Sequence, residues 1–426
     1  MSAGICIMNK QAIAMAADSA VTIGDHAAIH NSANKLFAIS KVASVGMIIY
    51  SNASFMQVPM EIIVKQYKKS IGDKTFLKLN DYVDDFVNFL ETNYSFFRFE
   101  KNEERYVVDV LLSFVVSIIN DKKKKTEEKE KEIGKRITRK ERIEIEKAVC
   151  TEYSNFVFGL EKIEYYDFSS YVSKRYKKQF KEMLSSIDLF TKDNQKIILN
   201  SVVELFNRTY EDSGYIGIAI AGYGDEEIYP SARRLKFSGV INNKVRYWKL
   251  KDAEVNEDSQ SSIIPLAQTD VMNTFLLGID DHIISDLSRE IPKNIEESMK
   301  EIKDDCIVKG CVDKVSESLD EASKKIVDHI IKLVNDEYLI PMKKSISTLP
   351  IEELALLAES MINITSIRRK VVIDGNVGTV GGPIDVAIIT KGDGFIWIKR
   401  KHYFEKKYNP QYYYSHFNNK LELKND

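Results

Sequence analysis

The sequence has few cysteines and no surplus of either charge. Its 426 residues include four cysteines, and 61 basic residues are balanced by 63 acidic ones, for a formal net charge of −2. So few and such scattered thiols exclude a disulfide framework and predict ordinary buried or half-buried thiols in a reducing, cytoplasmic setting. The balanced charge, without a basic stripe interleaved with aromatics, argues against a nucleic-acid partner.

Targeting and cofactor motifs are also missing. No segment has the pattern of a signal peptide, and no apolar run reaches the length of a membrane-spanning helix, so no membrane partner is expected. No glycine-rich phosphate loop occurs, so we predict no cofactor, and any ATP dependence has to come from a partner protein. Asp25, His26 and His30 have metal-ligand residue types, but no Glu base accompanies them, and pocket-lining or surface histidines are favoured over a metal site.

Proline is unevenly distributed, and its gaps predict helices. None occurs between Pro59 and Pro230. Apolar residues at helical spacing recur in that interval, so residues 60–212 are predicted to be mostly helical. A second helical block is predicted from about Pro265 to Lys370.

One part of the first helical region, residues 122–132, is almost entirely charged. It could be a docking surface for an acidic partner. The favoured interpretation is a solvated helix with ion pairs between residues four apart, or a disordered loop, because acidic and basic residues alternate.

Strand patterns occupy the start, the middle and the end of the chain. Two apolar runs, residues 2–8 and 12–22, flank a polar turn and predict a buried hairpin. Residues 215–224 are predicted to form a buried strand. Asn242-Asn243 is predicted to form a hairpin turn, because both residues tolerate positive φ. A last hairpin is predicted around Asp393-Gly394. Strands, helices, strands, helices and strands in this order indicate the α+β class, with no βαβ repeat.

These strand segments resemble the N-terminal-nucleophile (Ntn) hydrolases, in particular proteasome β-subunits and the bacterial HslV peptidase. Three blocks carry the resemblance: Ser2 through Lys35 with its hairpin and Ala16-Ala17-Asp18, the strand Ile218–Tyr223, and the closing Gly381–Thr390. It covers about half of the chain. It implies a four-layer αββα sandwich, two antiparallel sheets between helices.

The resemblance also implies a site. Aligning the family's aspartate with Asp18 places Ser2 at the nucleophile position, and the family's lysine then falls on Lys35. A serine hydroxyl is a weak nucleophile unless a base takes its proton, and the α-amine of Ser2 can serve once Met1 is removed. Thr22 matches a residue whose main chain pairs with substrate. Backbone donors of Ser51 or Asn52 are the candidates for the oxyanion position.

The sequence departs from the family's pattern in the surroundings of that site. The stretch Tyr50–Ser54 has no glycine where the family has one, and Gln268-Thr269-Asp270 is a rough counterpart of a Gly-Ser-Gly element. Val377 stands where the family has a late aspartate. These changes keep open a non-catalytic binding or assembly module of the same fold.

The full prediction is one Ntn-hydrolase-like domain, comprising a core of residues 2–104, 196–290 and 346–400, helical insertions at 105–195 and 291–345, and a C-terminal tail at 401–426. We expect an N-terminal serine hydrolase that cleaves peptide bonds in peptides or unfolded proteins. The resemblance implies a homo-oligomeric ring and a possible AAA+ ATPase partner. A small-substrate amidase of the same fold is the other enzymatic alternative.

Overall fold

The computed structural model describes residues 2–22, 29–187, 189–212, 214–305, 309–371, 380–402 and 404–411. The strands are β1 (Ala3–Asn9), β2 (Ala12–Ala17), β3 (Val21–Thr22), β4 (Ile29–His30), β5 (Leu36–Ala38), β6 (Val45–Ser51), β7 (Ser54–Phe55), β8 (Val58–Pro59), β9 (Ile216–Gly222), β10 (Ser231–Ile241), β11 (Lys244–Lys249), β12 (Ala253–Glu254), β13 (Ser261–Ala267), β14 (Asp385–Thr390) and β15 (Gly394–Lys399). The α-helices are α1 (Met60–Ile71), α2 (Leu79–Thr92), α3 (Phe99–Ile133), α4 (Arg139–Gly159), α5 (Phe168–Ile187), α6 (Lys192–Leu205), α7 (Asp270–Leu277), α8 (Asp281–Asp305), α9 (Lys309–Val334), α10 (Ile340–Ser347) and α11 (Ile351–Val371). A π-helical turn spans Asn335–Leu339 and a 3-10 turn spans Lys406–Tyr408.

The chain divides into two compact units. The first unit comprises Met1–Phe37, Ile228–Pro230 and Glu254–Asp426, and the second comprises Ala38–Glu227 and Ser231–Ala253. Antiparallel sheets and separate groups of helices place the structure in the α+β class, as predicted. The four-layer packing and the division into core and insertions stay predictions.

The first unit is built on a five-stranded antiparallel sheet with the order β13-β1-β2-β14-β15. Strands β1 and β2 are buried along their whole length, which explains their continuous apolar sequence. Their turn is held by Asn9, whose Oδ1 accepts hydrogen bonds from the backbone N–H groups of Gln11 (2.9 Å) and Ala12 (3.2 Å). The predicted opening hairpin is therefore confirmed.

A helical layer covers one face of this sheet. Apolar side chains of β1, β2 and β14 form a core cluster with those of α7, α10 and α11, including Met272, Ile346 and Ala358. This packing fixes the central strands β1 and β2, at whose ends the candidate site residues lie.

The second unit contains four adjacent antiparallel strands in the order β11-β10-β9-β6. The turn between β10 and β11 has positive φ at both Asn242 (51°) and Asn243 (61°), as predicted for this hairpin. Helices α3 to α6 share a large apolar cluster with Ile241 and Trp248 of these strands. The prediction that residues 60–212 are mostly helical is confirmed.

The charged run in α3 is helical and paired. Lys123 pairs with Glu127 four residues on (3.9 Å), and Lys122 reaches Glu146 of α4 (2.6 Å). Lys125 likewise pairs with Glu152 of α4 (2.5 Å). The run is therefore helical and carries an ion pair between residues four apart, as the favoured interpretation predicted, and it is not a disordered loop.

The predicted helical block from about Pro265 to Lys370 is present as helices α7 to α11, but its predicted start is five residues too early. Pro265 lies inside β13, opposite Ile5 of β1, and the first helix of this block begins at Asp270. Proline lacks the N–H that a central strand needs, but β13 is an edge strand of the sheet, where one side of the backbone needs no ladder partner. The apolar residues around Pro265 therefore form a strand.

Among the helices in the described part of the chain, none combines the length and the apolarity needed to span a bilayer.

Candidate functional site

The peptide group between Ser2 and Ala3 is fixed from both sides. The backbone N–H of Gln268 donates to the carbonyl oxygen of Ser2 (3.2 Å), and the N–H of Ala3 donates to Oδ1 of Asp18 (2.9 Å). Ser2 itself is 3% exposed. The backbone carrying the predicted nucleophile therefore has a defined position at the end of the central strand β1.

Asp18, which follows β2, is the centre of the site. Its carboxylate is 1% exposed and accepts four hydrogen bonds. Oδ1 accepts from the Ala3 N–H (2.9 Å) and from the Lys35 ammonium (2.5 Å). Oδ2 accepts from the N–H groups of Ala20 (3.2 Å) and Gly381 (3.1 Å). These four donors match the four lone-pair positions of a carboxylate, so the side chain has one defined orientation.

Lys35 is the cation of the site. Its side chain is buried, and its Nζ donates to Oδ1 of Asp18 (2.5 Å) and to the carbonyl oxygen of Ala20 (2.5 Å). An ammonium group has three N–H donors, and the third has no partner among the residues that the structure describes. Burial lowers the pKa of Lys35, although the charge and hydrogen bond of Asp18 act against that shift.

One carboxylate oxygen joins the cation to the nucleophile strand. Oδ1 of Asp18 binds both the N–H of Ala3 and the ammonium of Lys35. The positive charge is therefore held beside the backbone of the residue that follows Ser2. Asp18 and Lys35 are in direct contact, and Asp18 also binds the residue that follows Ser2, although 33 positions separate Ser2 from Lys35.

A segment before β14 completes the surroundings of Asp18. Besides the Gly381 N–H bond to Asp18, the N–H of Ser19 donates to the Gly381 carbonyl oxygen (3.1 Å), and Ser19 Oγ donates to the Pro383 carbonyl oxygen (2.5 Å). Gly382 has φ of +76°, and a Cβ there would lie 2.7 Å from Cβ of Asn31. Glycine is therefore required at this position by conformation and by space.

Sequence reasoning missed this contribution. Gly381 was part of the segment that carries the family resemblance, but its role as a donor to Asp18 was not predicted. Backbone donors leave little trace in a sequence, because any residue except proline supplies the same N–H group. The adjacent glycines before an apolar strand were the available signal. The late aspartate's position, Val377, lies outside the described residues.

The remaining predicted site residues are placed as follows. Thr22 is in the short strand β3 of the first unit, where it pairs with Ile29 of β4. Ser51 and Asn52 lie in the second unit, at the end of β6. The Asn52 side chain donates to the Tyr215 carbonyl oxygen (3.0 Å), which holds the strand end. Their predicted oxyanion role stays a prediction.

Ser51 occupies a backbone conformation that favours glycine, with φ of 71°. We expect the Ser51→Gly variant to be more stable than Ser51→Ala by about 1 kcal/mol, because both lose the hydroxyl and only alanine has a Cβ to strain. Denaturant unfolding of the two variants measures this difference. The matched control is Ser231 in β10, which has no positive φ, where alanine should be the more stable. The same order at both positions would contradict the backbone argument.

Of the three residues considered as metal ligands in the sequence, the structure describes His30. His30 is exposed in β4, while Asp25 and His26 lie outside the described residues. Within the described ranges, no group of three or more His, Cys, Asp or Glu side chains is arranged to hold a metal ion.

The comparisons with known proteins find similarity among solved structures. No family model and no curated protein matches the sequence. Among solved structures, the chain is similar to the Anbu (Gly-1) mutant from Hyphomicrobium sp. strain MC1, with 10% sequence identity and a TM-score of 0.28 over 98% of this chain and 94% of that chain. A TM-score of this size does not establish a common fold.

Proposed function

We propose that this protein is an N-terminal serine hydrolase that cleaves peptide amide bonds through an acyl-enzyme on Ser2, after cleavage of the Met1–Ser2 bond. One observation carries the proposal: Oδ1 of Asp18 binds both the Ala3 N–H and the Lys35 ammonium. A buried cation is thereby held beside the peptide group that links the candidate nucleophile to Ala3, with one N–H lacking a partner among the described residues.

The chemistry needs a base, a nucleophile and a stabilising charge. An α-amine titrates near pH ~8 in model peptides, and the positive charge of Lys35 lowers the pKa of a neighbouring amine. The neutral amine of Ser2 takes the proton from Ser2 Oγ as the oxygen attacks the substrate carbonyl carbon. The resulting ammonium returns that proton to the departing amine as the C–N bond breaks. Water then hydrolyses the ester on Ser2.

Lys35 and Asp18 have separate parts in this scheme. The ammonium of Lys35 stabilises the negative charge that develops during attack, in a site from which water is largely excluded. Asp18 orients that ammonium through a charge-assisted hydrogen bond and fixes Ala3 with the same oxygen.

The wider assembly stays a prediction of the family resemblance. A homo-oligomeric ring, an AAA+ ATPase partner and a peptide or unfolded-protein substrate belong to the proposal. A monomer or dimer that hydrolyses small amides would favour the amidase alternative. A protein with a free Ser2 amine and no hydrolytic activity would favour the non-catalytic module.

The experiment compares protein that begins at Ser2 with protein in which another residue precedes Ser2. The protein is made with a removable N-terminal tag that replaces Met1, and one version is cut to leave Ser2 first, while a matched version is cut to leave one glycine before Ser2. Hydrolysis of a mixture of labelled unstructured peptides is followed before and after cutting. Activity is expected only when Ser2 is first. Equal activity in the glycine-extended protein would overturn the requirement for the Ser2 amine.

A further inference from the structure

A second buried ion pair lies in the first unit, between Asp385 and Lys401. Asp385 is the first residue of β14 and is 1% exposed. The backbone N–H of Lys401 donates to its Oδ1 (2.8 Å), and the Lys401 ammonium binds its Oδ2. Both oxygens of this carboxylate are thus bound by one residue, which lies just after the last strand of the sheet.

This pair lies next to the candidate site in the pairing of β2 with β14. Asp385 is directly opposite Ala17 in the register of β2 and β14, and Ala17 immediately precedes Asp18. The residues just before Asp385 bind Asp18 and Ser19 through the Gly381 and Pro383 backbone. The start of β14 is therefore attached to the Asp18 region from one side and to Lys401 from the other.

Lys401 also acts on Lys35 through its charge. The lowered pKa of Lys35 has burial as its main cause, and the positive charge of Lys401 contributes in the same direction, while Asp18 opposes both. Among the described residues, Asp18 and Lys401 are the charged groups with the largest effects on the pKa of Lys35. Replacing Lys401 by a neutral residue is therefore expected to raise the pKa of Lys35.

We propose that Asp385 and Lys401 are positioning residues of the candidate site: their pairing holds the start of β14 in register with β2, so that the Gly381 and Pro383 backbone stays against Asp18 and Ser19. This inference rests on the proposed function. It assigns a role in the site to residue 401, which the sequence places at the beginning of a C-terminal tail.

The test uses the full chain cut to expose Ser2, with Lys401→Met and Lys401→Arg variants. Two quantities are measured: the rate at which a fluorophosphonate, a serine-reactive electrophile, labels Ser2, and the midpoint of Lys35 titration by NMR of ¹⁵N-labelled lysine. The Lys35 signal is identified by its loss in Lys35→Met. We expect Lys401→Met to label Ser2 about 10- to 100-fold more slowly, as expected for a misplaced reacting group. We also expect the Lys35 midpoint to move to higher pH, and Lys401→Arg to restore both quantities.

The outcomes separate this inference from the proposed function. Wild-type labelling rate and an unchanged Lys35 midpoint in Lys401→Met would overturn the positioning role. An absence of labelling in the cut protein without substitutions would overturn the proposed function. The midpoint of Lys35 titration would still test whether the Asp385–Lys401 pair influences Lys35. If Lys401→Met does not fold, the Asp385→Asn/Lys401→Met double variant is used, because it leaves no unpaired buried charge. Slow labelling in that variant supports the role, and a wild-type rate overturns it.

Discussion

The Asp18→Asn variant is expected to lose about 3–5 kcal/mol of stability in the first unit, the usual range for breaking a buried ion pair by removing one partner. Oδ1 and Oδ2 of Asp18 each accept two hydrogen bonds. An asparagine replaces one oxygen by an NH₂ group, which then faces two donors. The Lys35 ammonium also loses its buried counter-charge.

Hydrogen exchange of peptides from residues 2–22 measures this loss in the unit that contains the site, since the two units need not unfold together. The matched control is Asp193→Asn on α6, because the Asp193 side chain is 90% exposed and its ion pair with Lys196 contributes little. We expect the control to change stability by less than about 1 kcal/mol. Equal protection of residues 2–22 in Asp18→Asn and the unmodified protein would show that the carboxylate does not hold the site together.

The Lys35→Met variant is expected to lower kcat/KM for peptide hydrolysis by about a thousandfold, the upper range for removing one preorganised stabilising donor. Methionine keeps the length and the apolar stem of the side chain but removes the charge. Asp18 retains three backbone donors, from Ala3, Ala20 and Gly381, so the carboxylate stays in place. The expected loss is therefore in the chemistry rather than in the position of Ser2.

Steady-state kinetics on one peptide substrate, with the protein cut to expose Ser2, measure this effect. A Lys122→Met variant is the control, because Lys122 also pairs with a buried carboxylate, that of Glu146, but lies in the second unit. The control should retain hydrolysis. Unchanged kcat/KM in Lys35→Met would remove Lys35 from the mechanism, whatever the role of Ser2.

The elements predicted from sequence are those with a local physical signature. The hairpin around Asn9 was predictable because two continuous apolar runs flank a polar turn. The turn at Asn242-Asn243 was predictable because asparagine tolerates the positive φ that both residues adopt. The helix beginning at Met60 follows from apolar spacing, and its Met60, Ile63, Val64 and Tyr67 side chains are buried.

Features that depend on distant partners could not be predicted in this way. Pro265 is in a strand because its segment pairs with β1, about 260 residues earlier in the chain, and the local pattern does not contain that partner. Lys401 binds Asp385 across the β14–β15 hairpin, and nothing in its own neighbourhood distinguishes it from the other lysines near the end of the chain. The joining of Ser2, Asp18 and Lys35 was expected from a family resemblance rather than from periodicity or spacing.

The most direct test of the central claim is to find which residue carries the covalent adduct after the protein with exposed Ser2 is treated with a fluorophosphonate. Mass spectrometry of the N-terminal peptide should show the adduct on Ser2. It should be absent in Ser2→Ala and retained in Ser117→Ala, a helix serine of the second unit whose hydroxyl bonds the Ser113 carbonyl. An unmodified Ser2, or equal labelling of Ser2 in protein that retains Met1, would contradict the account.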